Sequence, residues 1–305
     1  MKTPTRNPSD RPFLGIVMIL LATLLFASQD AITKILSTEF PVAVIVMVRF
    51  WVMIVYAMIF MRIKRVPLRR SLESPRPYLQ IFRSIVLVVE IGFFVVSVRT
   101  LSLAEIHSLM ATFPLMVTAM SIPILGEKVG LRRWGAVAVG FVGVLIILRP
   151  GFGVFDIGAV YGLITAALFA LYNVLTRLAG RTDSSETSFF YFSLVGVIAC
   201  TVVGGFQWVP PTGTELLMML GIGVTSSFAH LFLILALNYA AAATLQPFNY
   251  MLLVWAVIVG YVVFGDLPDL WTVVGALVIV GSGLYTIYRE HARRGARNAE
   301  VTPRL

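Results

Sequence analysis

Charge is scarce in this 305-residue chain: Asp, Glu, Lys and Arg together make up 13% of it, about half the share found in a soluble domain. Cysteine is scarcer still. Cys200 stands alone inside an apolar run, so there is no disulfide framework to read, and the residue is expected to be packing filler. The three histidines, His107, His230 and His291, are scattered with no HExxH or comparable spacing, which leaves a metal centre without support. No GxxxxGK[ST] loop occurs, and ATP is therefore not the expected energy source. Long polar segments are missing too, so no separate soluble domain fits, and no cofactor is expected.

What is there is apolar. Residues of the set AVILMFWYC make up 58% of the chain, too many for a soluble enzyme of this size to bury and too few charges to solvate the rest. Ten stretches are long enough to cross a hydrocarbon core about 30 Å thick: spans 1 to 10 run over 13–36, 42–61, 79–99, 103–125, 131–148, 157–178, 187–206, 214–236, 241–264 and 270–288. Span 1 follows Lys2, Arg6 and Arg11, but it is too long for a secretory signal and carries no small-residue cleavage pattern, so it reads as a retained helix. An all-α membrane protein of ten transmembrane helices is expected.

Basic residues set its orientation. With the N-terminus inside, 19 of the 24 fall in cytoplasmic segments or at the span ends bordering them; Lys34, Arg99 and Arg149 fall at the other side, and Arg49 and Arg83 lie deep within spans. Loops rich in Lys and Arg resist translocation, so the tails 1–12 and 289–305 are both expected in the cytoplasm. The net charge of +9 is then a matter of topology. It suits contact with anionic lipid headgroups and gives no reason to expect nucleic acid.

The chain also repeats itself. Phe26-Ala27-Ser28-Gln29-Asp30-Ala31-Ile32-Thr33-Lys34 in span 1 matches Phe169-Ala170-Leu171-Tyr172-Asn173-Val174-Leu175-Thr176-Arg177 in span 6, with five of nine positions alike in type at an offset of 143. Gly126-Glu127 after span 4 is echoed by Gly265-Asp266 after span 9, and Gly135-Ala136 with Gly143 by Gly275-Ala276 with Gly283. The chain reads as two copies of five spans, 13–148 and 157–288. Five is odd, so the second copy enters the bilayer from the opposite side. Two inverted repeats give inward-open and outward-open states of similar energy, the basis of alternating access.

These features resemble the EamA family of ten-helix drug/metabolite transporters over nearly the whole chain. More narrowly, Asp30 with Lys34, Pro247-Phe248-Asn249-Tyr250 and Gly265-Asp266-Leu267-Pro268 resemble a bacterial branch labelled as S-adenosylmethionine uptake and riboflavin transporters. Asp266 stands where the family commonly has Glu, and Asn249 where the branch often has Glu. The resemblance implies a central cavity lined mainly by spans 1, 3, 4, 6, 8 and 9, with spans 5 and 10 at the periphery. The glycines of those two peripheral spans permit close backbone packing, within the chain or at a homodimer seam.

Four charges sit deep inside spans: Asp30, Arg49, Arg83 and Glu90. Each costs about 2.5–3.5 kcal/mol to insert, so four left unpaired would cost roughly 10–14 kcal/mol, comparable with the entire stability of a typical fold at about 5–15 kcal/mol. They have to be paired or hydrated. Asp30 and Arg49 both lie about 10 Å below the outer end of their helices, so a cross-helix pair is one expectation, and a pair with Lys34 one turn along is another. Glu90 lies near the midplane, with Arg83 two turns below on the same face. Roughly 10 Å of axial separation calls for a bridging group, which a zwitterionic solute, a polar side chain or water could supply. His230 falls within one position of the repeat equivalent of Glu90, Asn173 is the equivalent of Asp30, and His107 is the equivalent of Gln246.

In span 9, Gln246, Asn249 and Tyr250 share one face, and Pro247 permits a bend, as Pro114 does in span 4. With Tyr172 and Asn173 they read as a mouth suited to a polar solute with a flat or apolar portion. Glu127 and Asp266 read as helix-end anchors. The expected substrate-binding set is Glu90, Arg83, Tyr172, Asn173, His230, Gln246, Asn249 and Tyr250, with Asp30, Lys34, Arg49 and His107 serving coupling or ion pairing. Function follows as secondary transport of a small organic metabolite, amino-acid-derived, nucleoside-like or flavin-like. Asp30 and Glu90 are the candidates for proton coupling, since burial disfavours an ionised carboxyl. A lipid flippase or an intramembrane enzyme acting on lipid or prenyl substrates is the alternative, although the dispersed histidines argue against the enzyme.

Overall fold

The computed structural model describes residues 12–65, 67, 69, 72–126, 131–148, 157–239 and 248–301. Among these the regular structure is entirely helical. In chain order the helices are α1 (Pro12–Ser37), α2 (Val42–Ile63), α3 (Pro77–Ser97), α4 (Leu103–Met110), α5 (Phe113–Leu125) and α6 (Leu131–Leu148). They continue as α7 (Ile157–Ala179), α8 (Ser185–Gly205), α9 (Gly213–Tyr239), α10 (Met251–Phe264) and α11 (Leu270–Val301).

Seven segments are long and apolar enough to cross a membrane, α4 and α5 counting as one of them. Three further apolar stretches, Val137–Leu148, Met251–Phe264 and Leu270–Tyr285, are shorter. Ten full spans were expected, so the structure reduces the number that pass on length alone. This is a multi-pass membrane protein. Its outward surface is apolar, with Val262 75%, Leu217 71% and Phe141 60% exposed, the pattern of helices facing hydrocarbon rather than water.

Local chemistry sets the helix ends. Pro77 occupies the first turn of α3, where its missing N–H costs nothing. Ser102 and Glu105 form a reciprocal capping box on α4, satisfying two otherwise orphaned donors. Gly126 and Gly265 close α5 and α10 in the left-handed region, each at φ 72°, a conformation that side-chain-bearing residues resist. These two glycines are the pair matched between the repeats. Span 4 is interrupted between α4 and α5. The N–H of Ala111 still bonds to the carbonyl of His107, but the ladder restarts only at Phe113-Pro114, because proline has no donor to continue it. The basic tail, expected to begin at 289, continues α11 as helix to Val301.

The extensive pairings are α1 with α9, α3 with α7, α2 with α8 and α6 with α11, followed by α2 with α9, α5 with α7, α3 with α8 and α1 with α10. Where α6 meets α11, a Cβ on Gly143 would lie 2.8 Å from the carbonyl oxygen of Gly275, and one on Gly275 would lie 2.7 Å from that of Gly143. Two backbones in such contact leave no room for side chains. The glycine stripes of the peripheral spans therefore pack on each other within the chain.

Candidate functional site

Between the packed pairs lies a cavity of about 180 Å³, walled by α1, α2, α3, α4, α5, α7, α9, the start of α10 and the turn before it. None of its lining residues belongs to α6 or α11. The expected helices are present, and α2 joins them through Arg49. Nine of the twelve expected site residues face this space: Asp30, Arg49, Glu90, His107, Tyr172, Asn173, His230, Asn249 and Tyr250. Arg83 and Lys34 do not border it, and Gln246, with Pro247 and Glu127, lies outside the described residues.

Asp30 pairs with neither Arg49 nor Lys34 but with the Nε2 of His107 on α4, at 3.1 Å, both groups buried. Helix packing decides this, because α1 turns the carboxylate inward toward α4 while Lys34, one turn on, finds a partner elsewhere. Whenever Asp30 is ionised it can only accept, and in that state Nε2 carries the proton of this bond. The other Asp30 oxygen receives the Gln29 amide at 3.5 Å, and Ser226 on α9 donates to the Gln29 carbonyl. The Ser226 backbone carbonyl in turn accepts from Nδ1 of His230 at 2.8 Å, which fixes that ring's protonated nitrogen. A polar chain thus runs from α4 through α1 to α9. Gln29 was missed in the sequence, although a buried amide beside an acid in an apolar run is a readable signal.

Lys34 donates to Asp266 at 3.3 Å and to the carbonyl of Leu101 at 3.1 Å, over the ring of Phe264. Asp266, expected only as an anchor, therefore ties the end of α10 to α1, while Lys34 itself ties α1 to the turn before α4. Arg83 is 1% exposed and points between α7 and α8. It donates to Gln80 Oε1 at 2.8 Å, the Ser188 carbonyl at 2.7 Å, Thr176 at 3.0 Å and Tyr172 at 3.3 Å, and lies over the Tyr172 ring. Gln80 passes the connection to Asp183, which also accepts from Ser74, both at 2.9 Å. Among the described residues no side chain bridges Arg83 and Glu90, and the two terminal nitrogens of Arg83 are taken up by these acceptors.

Arg49 and Glu90 are 9% and 5% exposed, and neither forms a hydrogen bond among the described residues. Asn173 donates to the carbonyl of Phe169 at 2.7 Å. Tyr250 presents its ring to the cavity while its hydroxyl abuts Gly283 of α11, where a Cβ would collide with it. Aromatic rings fill much of the remaining wall. Phe113 and Phe169 meet edge to face at 5.0 Å, Phe26 and His230 at 5.1 Å, and Phe94 lies 5.8 Å from His107. Sequence reasoning did not single out these phenylalanines, because aromatics in an apolar span look the same whether they face lipid or cavity. Among the described residues no cluster of His, Cys, Asp and Glu could hold a metal.

Comparison with known proteins accords with a chamber of this kind. The description "EamA-like transporter family" matches residues 13–149 and again 156–288. The S-adenosylmethionine uptake transporter of Rickettsia prowazekii is 25% identical over 276 residues, covering 90% of this chain and 93% of that protein. The riboflavin transporter of Vibrio cholerae serotype O1 is 28% identical over 275 residues, covering 88% and 91%. The pseudopaline exporter CntI of Pseudomonas aeruginosa is 26% identical over 268 residues, covering 87% and 93%. A solved structure described only as a protein crystal structure aligns with a TM-score of 0.61 at 17% identity, over 91% of this chain and 97% of that one, a likeness of fold. A polar chamber inside an apolar bundle, matched in both parts of the sequence by one description, places the chain in the EamA-like transporter family, as a small-molecule transporter rather than an enzyme.

Proposed function

We propose that this protein is a secondary transporter that carries a small organic metabolite across the bacterial inner membrane by alternating access, with both termini in the cytoplasm. The observation that carries this reading is the cavity, where Asp30, Arg49 and Glu90 lie deep among apolar helices drawn from both parts of the chain. Intramembrane charges facing a protein interior mark a solute path. The two-body motion rests on inverted halves, and the pairing of helices supports it. Exchanging each helix for its repeat equivalent turns α1 with α9 into α7 with α3, α2 with α9 into α8 with α3, and α1 with α10 into α7 with α5, all pairs that occur. An architecture that maps onto itself in this way can exchange the conformations of its halves at little energetic cost.

The cavity wall combines carboxylates, amides, imidazoles and aromatic faces, and the substrate classes it suits are amino-acid-derived, nucleoside-like and flavin-like. S-adenosylmethionine and riboflavin, named for two of the relatives, are the first solutes to test. Asp30 and Glu90 are the proton-carrying candidates. In proteoliposomes of the purified chain, an imposed proton gradient is expected to change the flux of the transported solute, and Asp30→Asn and Glu90→Gln to remove that response. Flux indifferent to the gradient, with Glu90→Gln fully active, removes the coupling; absence of flux for every solute in either direction removes the transporter reading.

A further inference from the structure

We infer that Tyr172 plugs one end of the cavity, that Arg83 is the positioning residue that holds it there, and that Asp183 with Gln80 and Ser74 is the reversible fastening that keeps this end shut. The inference rests on the transporter reading above and assigns its gate on the side of the connector 62–78, which is cytoplasmic in that reading.

The cavity wall begins at Leu87 on α3 and ends at Asn173 on α7. From there both helices run toward the same end of the bundle, where Ser74 before α3 meets Asp183 after α7. Arg83 and Thr176 come about one turn beyond the wall. The chamber is therefore closed here by the Tyr172 ring, with the Arg83 guanidinium behind it at 5.2 Å from the ring centre. Arg83 donates to the Tyr172 hydroxyl and to Thr176, and Thr176 donates in turn to the Tyr172 carbonyl at 2.7 Å. Phe169 and Phe192 flank the ring. Arg83 belongs to the first of the two parts matched above, and Tyr172, Thr176 and Ser188 to the second, so these bonds span the halves that alternating access would separate.

The fastening is of a kind that can open. Among the described residues Arg83 makes no direct ion pair; its charge reaches a carboxylate through Gln80, whose Oε1 accepts from Arg83 and whose Nε2 donates to Asp183. A buried ion pair would resist separation, because each charge would be left without its partner. Asp183 and Ser74 are instead only half-buried, so their bonds can be exchanged for bonds to water at small net cost. Tyr191 adds a second link across the same seam, donating to the Leu72 carbonyl at 2.8 Å. At the opposite end Lys34, one turn beyond the wall residue Asp30, closes on Asp266. The chamber thus has a fastening at each end, and releasing either one should favour opening there.

The test uses the full-length chain with Cys200→Ser and a reporter cysteine, Ala111→Cys, on the cavity wall. Its readout is the ratio of labelling rates by a membrane-impermeant thiol reagent added to one face or the other of oriented vesicles, with no solute present. Asp183→Ala is expected to raise the rate several-fold from the face bearing the connector 62–78 and to lower it from the opposite face. Asp183→Asn, which keeps an acceptor for Gln80, should retain most of the parent ratio. Tyr172→Ala should raise the rate from the connector face with the fastening intact, whereas Tyr172→Phe, which keeps the ring, should stay near the parent. If Asp183→Ala does not reach the membrane, Ser74→Ala, which removes one of the two bonds on Asp183, should move the ratio in the same direction by less. A staple with no part in gating would lower the unfolding temperature and leave the ratio alone. An unchanged ratio, or an equal rise from both faces, overturns the gate. Solute flux alongside an unchanged ratio overturns the gate and leaves the transporter reading standing, and a shifted ratio in a chain that moves no solute does the reverse.

Discussion

An acid set into an apolar helix takes whichever donor the packing of other helices brings to it. Asp30 shows this. Its sequence neighbours offered Lys34 at helical spacing and Arg49 at matching depth, yet α4 delivers His107 at 3.1 Å and Lys34 turns to Asp266. Depth and polarity were legible in the sequence, because a charge at mid-span is conspicuous whatever the fold; partnership was not, because it depends on how helices are rotated about their own axes. Arg83 makes the same point, its acceptors lying on α7, on α8 and in its own helix. The pairing has a measurable consequence. His107→Leu removes the donor and leaves the buried carboxylate short of a bond, a loss expected to be about 1–3 kcal/mol. Thermal unfolding in detergent should show it, while His107→Gln, which can still donate, should recover most of the loss. Equal stability of both variants with the parent would show that the Asp30–His107 bond contributes nothing.

Among the elements, the apolar runs were readable by length alone, and their depth-marking prolines announced an interruption near Pro114. What could not be read was which glycines meet. Gly143 and Gly275 fit a homodimer seam as well as an internal one on sequence grounds, and only the approach of α6 to α11 assigns them to the interior. Gly143→Val should force the two backbones apart and cost about 1–3 kcal/mol as overpacking, seen as a lower unfolding temperature, whereas Gly135→Val on the same helix, where a Cβ meets nothing within 4 Å, should be close to neutral in packing. If the two substitutions behave alike, the contact between α6 and α11 is not as close as described.

For the whole molecule, one end of the bundle is tied by Lys34 of α1 to Asp266 after α10, and by Arg99 in the turn before α4, which donates to the Phe40 carbonyl after α1 at 2.9 Å. Breaking the first tie should favour opening on that side. With Cys200 replaced by serine and a reporter cysteine at Ala111 on the cavity wall, Lys34→Met is expected to raise the rate of labelling by a membrane-impermeant thiol reagent several-fold from that face. The exchange Lys34→Asp with Asp266→Lys should restore the slow rate. An unchanged rate in Lys34→Met would mean that the tie does not govern access.

The pairings of α1 with α9, α2 with α8, α3 with α7 and α6 with α11 also bear on how the protein is made. Every one of them joins a helix from before residue 150 to a helix from after it, so the earlier helices enter the bilayer during synthesis before their mates exist. For that interval Asp30, Arg49 and Glu90 have to be sheltered by insertion machinery, by water or by one another. Ribosome pausing after α6 would lengthen the exposure, and separately expressed front and rear fragments should be degraded alone yet rescue each other when produced in the same cell.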